Sequence, residues 1–430
     1  MVFTERSLSC SLNRIGDIEQ AEGNLECARI LFAESLDISR KLAKQLNTPD
    51  SLRNVSLSLE RVGDIEQAEG NLKSARPLFA ECLDISRKLA ELLNTPESLD
   101  DIARYLDRIG GIEQAEGNLD RVRTLYSEGL KIRRKLAKQL NTPNSLRNVS
   151  LSLDQIGNIE QAEGNLEGAR TLYAESLDIS KKLAEQLNTP KSLRDVSISL
   201  LNIGDIEKAK GNLDTARTMY AEFFEISKKL AEQLKTPESL RDVFLSLLKI
   251  GDIEVAEGNL ECAKTLYTEC LEISRKLAEQ LNTPESLRDV SMSLLRVGEI
   301  EAEDGNLDSA RPLYAESLEI IRKLAEQLNT PDFLRNFSTV LFKIGGLEQS
   351  EGNLEIAKTL YTECLEISKK LAEHLNTPVN INQKIWMLQQ LAHVQILLEE
   401  NQAALNLLKE SEADVDELQS ECSDDMNILE

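Results

Sequence analysis

Eight glycines recur at a step of 47 residues: Gly16, Gly63, Gly110, Gly157, Gly204, Gly251, Gly298 and Gly345. A second series keeps the same step inside a Gly-Asn-Leu triplet: Gly23, Gly70, Gly117, Gly164, Gly211, Gly258, Gly305 and Gly352. A fixed period of this length is the signature of a repeat array. One unit cannot bury its apolar face alone and is stable only in a stack. The period cuts residues 1–376 into eight units: 1–47, 48–94, 95–141, 142–188, 189–235, 236–282, 283–329 and 330–376. A degenerate ninth unit, 377–418, stays in phase without the glycines, and an acidic stretch, 419–430, is expected to fray. A chain of 430 residues would ordinarily suggest two or three domains. The unbroken period predicts one elongated solenoid instead.

Unit five shows the physics of one repeat. Thr189 is a good N-cap, and Pro190 suits the first helical turn, where its missing N–H costs nothing. Leu193, Val196, Leu200, Ile203 and Ile206 follow at helical spacing. Lys210 ends this helix and Gly211 supplies the left-handed stop. Asn212 is read as the cap of a second helix, whose apolar face is Leu213, Ala216, Tyr220, Phe224, Ser227, Ala231 and Leu234. Each unit is therefore expected to be a helical hairpin with arms of about twenty residues, roughly 30 Å long. Eight of the 10 prolines mark starts of first helices; Pro77 and Pro312 fall inside second helices, where a mild kink is expected. Glu207 and Arg217 lie about equally far from the turn, so an ion pair across the hairpin is expected there and at equivalents such as Glu19 with Arg29 and Glu254 with Lys264.

The net charge of -24 argues against nucleic acid and against anionic membranes. A basic or mixed-charge protein partner is favoured, although the charge also simply keeps a leucine-rich array in solution. No apolar run is long enough to span a bilayer, and the N-terminus lacks the order of a signal peptide. The 7 cysteines include no C-x-x-C pair; Cys82, Cys270 and Cys364 share a position that elsewhere is mostly small and reads as a buried packing site. Free thiols point to a reducing compartment, so a cytoplasmic location is expected. Only His374 and His393 could offer imidazole, and neither has metal-ligand spacing to another ligand. No P-loop or nucleophile-elbow motif is present, so no cofactor and no enzymatic activity are expected.

In unit five Leu200, Gly204, Gly211, Leu213, Ala216, Tyr220 and Phe224 resemble the tetratricopeptide repeat, and the match recurs in phase over nearly the whole chain. The period of 47 exceeds the family's usual spacing, and the family's first-helix aromatic is replaced by Glu207 and its equivalents. The chain is similar to the long-period arrays of kinesin light chains and bacterial signalling proteins. The resemblance implies an all-α solenoid of antiparallel helix pairs in a right-handed superhelix, with first helices lining a concave groove for peptides or protein surfaces. Unit one looks internal and uncapped: it dimerises, or the chain belongs to something longer, or Val2, Phe3 and Leu8 stay partly exposed.

Differences between units point to function. Three residues before each first glycine stand Asn13, Glu60, Asp107 and Asp154, then Leu201, Leu248, Leu295 and Phe342. A second position reads Gln20, Gln67, Gln114 and Gln161, then Lys208, Val255, Ala302 and Gln349. By the family's geometry both face the groove, which would be polar and acidic in units one to four and apolar in units five to eight. A partner with a basic then an apolar segment would match it; the apolar set is equally read as core between units. Arg6, Arg53, Arg147, Arg194, Arg241, Arg288 and Arg335 form a third row, broken by Asp100. It would hold carboxylates of a partner, or pair with Asp195, Asp242 and Asp289 of neighbouring units. The expected function is a non-enzymatic protein-binding scaffold. The alternative is a sensor or regulatory array working with a protease or nucleotide-driven effector.

Overall fold

The computed structural model describes the backbone of residues 2–375 and 378–427, and the side chains of 4–373 and 379–416. It is helical throughout, with helices in consecutive packed pairs and no strand among the described residues. The first helices of the units are α1 (Val2–Ala21), α3 (Pro49–Ala68), α5 (Pro96–Ala115), α7 (Pro143–Ala162), α9 (Pro190–Ala209), α11 (Pro237–Ala256), α13 (Pro284–Glu303), α15 (Pro331–Ser350) and α17 (Pro378–Leu397). The second helices are α2 (Leu25–Leu46), α4 (Leu72–Leu93), α6 (Leu119–Leu140), α8 (Leu166–Leu187), α10 (Leu213–Leu234), α12 (Leu260–Leu281), α14 (Leu307–Leu328), α16 (Leu354–Leu375) and α18 (Asn401–Asn427). The backbone of the stretch expected to fray is thus helical as far as Asn427. The chain divides into two compact units of structure, Met1–Met219 and Tyr220–Glu430. Helices α1 to α9 and α11 to α18 pack on their neighbours in the chain within each unit.

Local chemistry sets the helix starts. Thr189 Oγ1 accepts from the Ser192 amide at 3.2 Å, and Ser192 Oγ accepts from the Thr189 amide at 3.1 Å. This reciprocal box recurs at Thr48, Thr142, Thr236 and Thr283, each followed three residues on by serine. Thr330 has Phe333 at that place and makes no side-chain cap bond. Both α4 and α14 run through Pro77 and Pro312 as single helices.

The two glycine series serve different ends. Gly23, Gly70 and their equivalents hold φ between 78° and 82°, where a Cβ is disfavoured. The first series marks a close approach instead: a Cβ on Gly157 would lie 2.6 Å from the ring of Tyr173, sixteen residues on, and the same contact joins Gly110 to Tyr126 and Gly251 to Tyr267. In units one to seven the second helix also ends in a left-handed residue. This is Asn47, Asn94, Asn141, Asn188, Asn282 or Asn329, and in unit five Lys235.

Three expectations are corrected. The simple asparagine cap is not made by Asn24, Asn71, Asn118, Asn259 or Asn306, the equivalents of Asn212; Asn212 Nδ2 donates to Glu207 Oε2 at 2.6 Å, and Asn118 and Asn259 likewise hold Glu113 and Glu254 at 2.8 Å. The amide is drawn to the carboxylate because a charge-assisted bond outweighs a neutral one. Of the equivalent asparagines, Asn165 also caps through Gly168. The ion pair expected across each hairpin instead reaches the following unit: Arg76 to Glu113 at 3.2 Å, Arg123 to Glu160 at 3.0 Å, Arg170 to Glu207, Lys264 to Glu301 at 2.9 Å and Arg311 to Glu348. The second helix packs on the next first helix as well as on its own, and its basic residue points that way. Finally, Leu234 is 43% exposed rather than core; it stands in the last turn, directly before the left-handed Lys235. Leu8 is exposed, while the side chains of Val2 and Phe3 lie outside the described residues.

Candidate functional site

Most of the candidate column is engaged inside the stack. Glu60 accepts from Arg104 and, at 3.0 Å, from the Tyr105 hydroxyl; Asp107 pairs with Arg133. Asn13 and Asp154 are half-buried, and each has an Oδ1 without a hydrogen bond. Burial pushes the Asp154 carboxyl up to about 7; the Ser176 hydroxyl opposes the rise and nearby Asp195 adds to it. Leu201 and Lys208 are half-buried. Leu248 and Val255 pack with Tyr267 and Val297 between units six and seven, and Leu295 is 2% exposed. Phe342 stacks on Tyr361 with centroids 5.6 Å apart and meets Trp386 at 4.4 Å. The glutamine position serves the hairpin: Gln114, Gln161 and Gln349 accept from the hydroxyls of Tyr126, Tyr173 and Tyr361.

Members of the arginine row pair with acids of the next unit or with acids of their own helix, as Arg335 does with Asp332 at 3.1 Å. Arg147 grips Asp195 with two hydrogen bonds of 2.6 and 2.8 Å, and Arg241 lies 3.2 Å from Asp289. Arg288 stands 3.8 Å from the same Asp289, beside it in the chain, and Arg194 is exposed.

The first-helix face open to solvent lies three residues earlier. In Met1–Met219 this position holds Cys10, Leu57, Arg104, Leu151 and Ile198; in Tyr220–Glu430 it holds Leu245, Met292, Thr339 and Trp386. Leu57, Leu151 and Ile198 are 41%, 38% and 43% exposed, and Trp386 is 43% exposed. Hydropathy misleads here. The triplets Ser56-Leu57-Ser58, Ser150-Leu151-Ser152 and Ser197-Ile198-Ser199 bury both serines and turn the large residue outward. Small serines let helices approach closely, and their hydroxyls find each other: Ser150 lies 2.8 Å from Ser176 and 2.9 Å from Ser180. Recurrent small-large-small triplets are the sequence signal that could have located this face.

Charge frames it. Four residues after the exposed position, a basic side chain reaches back to an acid of the preceding unit: Arg61 to Asp17 and Arg108 to Asp64 at 2.9 Å, Arg296 to Asp252 at 3.5 Å and Lys343 to Glu299 at 2.7 Å. Beside Leu151 and Ile198 this ladder is interrupted by Gln155 and Asn202, opposite Gly111 and Asn158. The two apolar side chains therefore sit in a stretch whose ladder positions carry no charge. Cavities open between successive first helices: about 240 Å³ between α1 and α3, lined by Cys10, Asn13 and Leu57, about 490 Å³ between α3 and α5, lined by Asp50, Arg53 and Glu97, and about 230 Å³ between α5 and α7.

The remaining chemistry is structural. Cys82, Cys270 and Cys364 are buried, and burial raises their thiols, Cys82 to about 12 and Cys364 to about 11. Such thiols are poor nucleophiles. His393 is exposed, and His374 has its side chain outside the described residues. No helix among the described residues is long and apolar enough to cross a membrane.

Comparison with known proteins places the repeat. Family models described as tetratricopeptide repeat match residues 55–128 and 149–186. No curated protein matches the sequence significantly. Among solved structures, BtubC from P. vanneervenii is similar at 18% identity over 59% of this chain and 92% of its own, with a TM-score of 0.47. A Rap protein complexed with competence and sporulation factor is similar at 14% identity over 97% and 98%, with a TM-score of 0.47. A signal transduction ATPase with a tetratricopeptide repeat sensor, from Pyrococcus horikoshii, is similar at 16% identity over 91% of this chain and 54% of its own, with a TM-score of 0.49.

Proposed function

We propose that this protein, a member of the tetratricopeptide-repeat family, is a non-enzymatic scaffold that binds a peptide or protein surface along its first-helix face. One observation carries the reading: Leu57, Leu151 and Ile198 stand exposed at the same place in their units, the last two where the flanking charge ladder is interrupted. An apolar residue repeated outward on rigid helices offers anchors, and the surrounding polar rim gives a partner its register. The net charge of -24 favours a partner carrying basic residues and speeds their encounter.

The test is capture of partners from a lysate by wild-type protein and by Leu151→Asp plus Ile198→Asp, identified by mass spectrometry. Both side chains are exposed, so the variant should melt like wild type. Loss of a wild-type partner, with retention by a Leu187→Asp control on the second helix, supports the reading. An unchanged set of partners removes it.

A further inference from the structure

A cavity opens at the starts of the first helices both between α3 and α5, where Arg53 lines it, and between α5 and α7, where it is about 230 Å³ and the chain departs from its own template. In the arginine row, Arg147 reaches the carboxylate 48 residues on, Asp195, with two hydrogen bonds, and Arg241 lies 3.2 Å from Asp289. In unit three the arginine is replaced by Asp100, and the residue 48 on is Asn148 rather than aspartate. Asp100 is the one break in the row of eight. The internal pair is thus absent from both sides at once, and the cavity lies between the first turns of α5 and α7, floored by the last turns of α6.

Its walls suit the group that is missing. Glu97 and Asp100 are exposed, and neither has a cationic partner among the described residues. Asn144 and Asn148 add amide oxygens, while Leu136 and Leu140 supply an apolar floor. Arg133 also lines the cavity, but its guanidinium is held by Asp107 at 3.1 Å and by Ser152 at 2.7 Å, so its charge is already matched. A volume of this size is below that of a pocket for a whole small-molecule ligand. It fits one long side chain with an apolar stem and a charged head.

We propose that this cavity receives an arginine side chain from the bound protein partner, which fills from outside the place that the chain's own arginine fills in units four and six. The proposal rests on the first-helix face being a protein-binding surface, and it names the side chain that the partner presents there. Arginine is preferred over lysine because its planar fork matches a carboxylate with two parallel bonds, the geometry that Arg147 already makes with Asp195.

The test uses the full chain with isotope-labelled leucine methyls and titrates N-acetyl-arginine amide, N-acetyl-lysine amide and the neutral isostere N-acetyl-citrulline amide. The arginine probe should shift the methyls of Leu136 and Leu140, with citrulline binding about tenfold weaker or less well, the loss expected for a charge-assisted bond. The variant Asp100→Arg with Asn148→Asp rebuilds the internal pair seen in unit four. It should melt no lower than wild type and lose the response at both leucines. Equal shifts from arginine and citrulline probes, or an arginine response that survives in the rebuilt variant, would overturn the proposal. The capture experiment with Leu151 and Ile198 replaced is independent of these probes. A scaffold that loses its partner there but takes no arginine here fails only in this inference.

Discussion

Replacing Gly157 by alanine sets two known effects against each other. Alanine favours a helix interior over glycine by about 1 kcal/mol. The new Cβ, however, would lie 2.6 Å from Cε1, 2.9 Å from Cδ1 and 3.0 Å from Cζ of Tyr173. Carbon atoms rest about 3.5–4.0 Å apart, so the ring must retreat by about 1 Å. It has little room, for Tyr173 is fully buried and its hydroxyl donates to Asn158 Oδ1 at 2.6 Å. Overpacking of this kind costs about 1–3 kcal/mol, and losing the hydrogen bond adds about 0.5–1.5 kcal/mol. The expected net loss is about 1–3 kcal/mol after the helical gain. Urea melts followed by circular dichroism, with amide exchange over α7 and α8, report it locally, since an array need not unfold in one step. In a Tyr173→Leu background the clash disappears, and Gly157→Ala should become neutral or stabilising. Gly164→Ala, whose penalty comes from φ +79° in open space, should cost the same in both backgrounds. A raised midpoint for Gly157→Ala, or an equal loss without the tyrosine ring, would refute the close-approach account.

Other outcomes follow from single side chains. Glu207 is 2% exposed; although burial alone would raise its carboxyl, hydrogen bonds from Arg170 and Asn212 hold it below the usual range. Its contribution is therefore present above the unfolded value of about 4.3 and lost as pH falls through the folded one, so Glu207→Gln should lose less stability than wild type between pH 7 and pH 3 in urea titrations. Asp154, raised by burial to about 7, acts with the opposite sign: it opposes folding increasingly as pH climbs from about 4 to above 7. Asp154→Asn should match wild type near pH 4 and exceed it at pH 8, by about 4 kcal/mol at most; no gain on raising the pH would exclude a buried, unpaired carboxylate. Lys235 adopts φ 53° where six other units place asparagine. Thermal melting should show Lys235→Asn stabilised by about 0.5–1 kcal/mol, because the left-handed region disfavours a long side chain.

The hairpins were legible because their punctuation is local. Thr-Pro starts, Gly-Asn-Leu turns and the spacing of Val196, Leu200 and Ile206 each act within a few residues, and the structure has Val196, Leu200 and Ile206 buried as that spacing requires. What needed the third dimension was the choice of partner. Arg170 and Arg217 are equivalent in sequence, and nothing local says that such a residue reaches forward to the next unit, as Arg170 does to Glu207. The open face was hidden for a different reason. Reading Ser150-Leu151-Ser152 by hydropathy buries the leucine, whereas helix spacing rewards the smaller residue with the inner place. The left-handed asparagines also escaped notice, since Asn188 before Thr189 looks like ordinary loop composition.

The forward reach of the basic side chains gives the chain a direction. Arg76, Arg123 and Arg170 each act as a plug for a socket in the following hairpin. Such couplings survive any lengthening or shortening by one whole period, because every plug still meets an identical socket. A change by any other number of residues misaligns the coupling that spans it. Growth by complete modules is thus the one change in length that this architecture absorbs without repair.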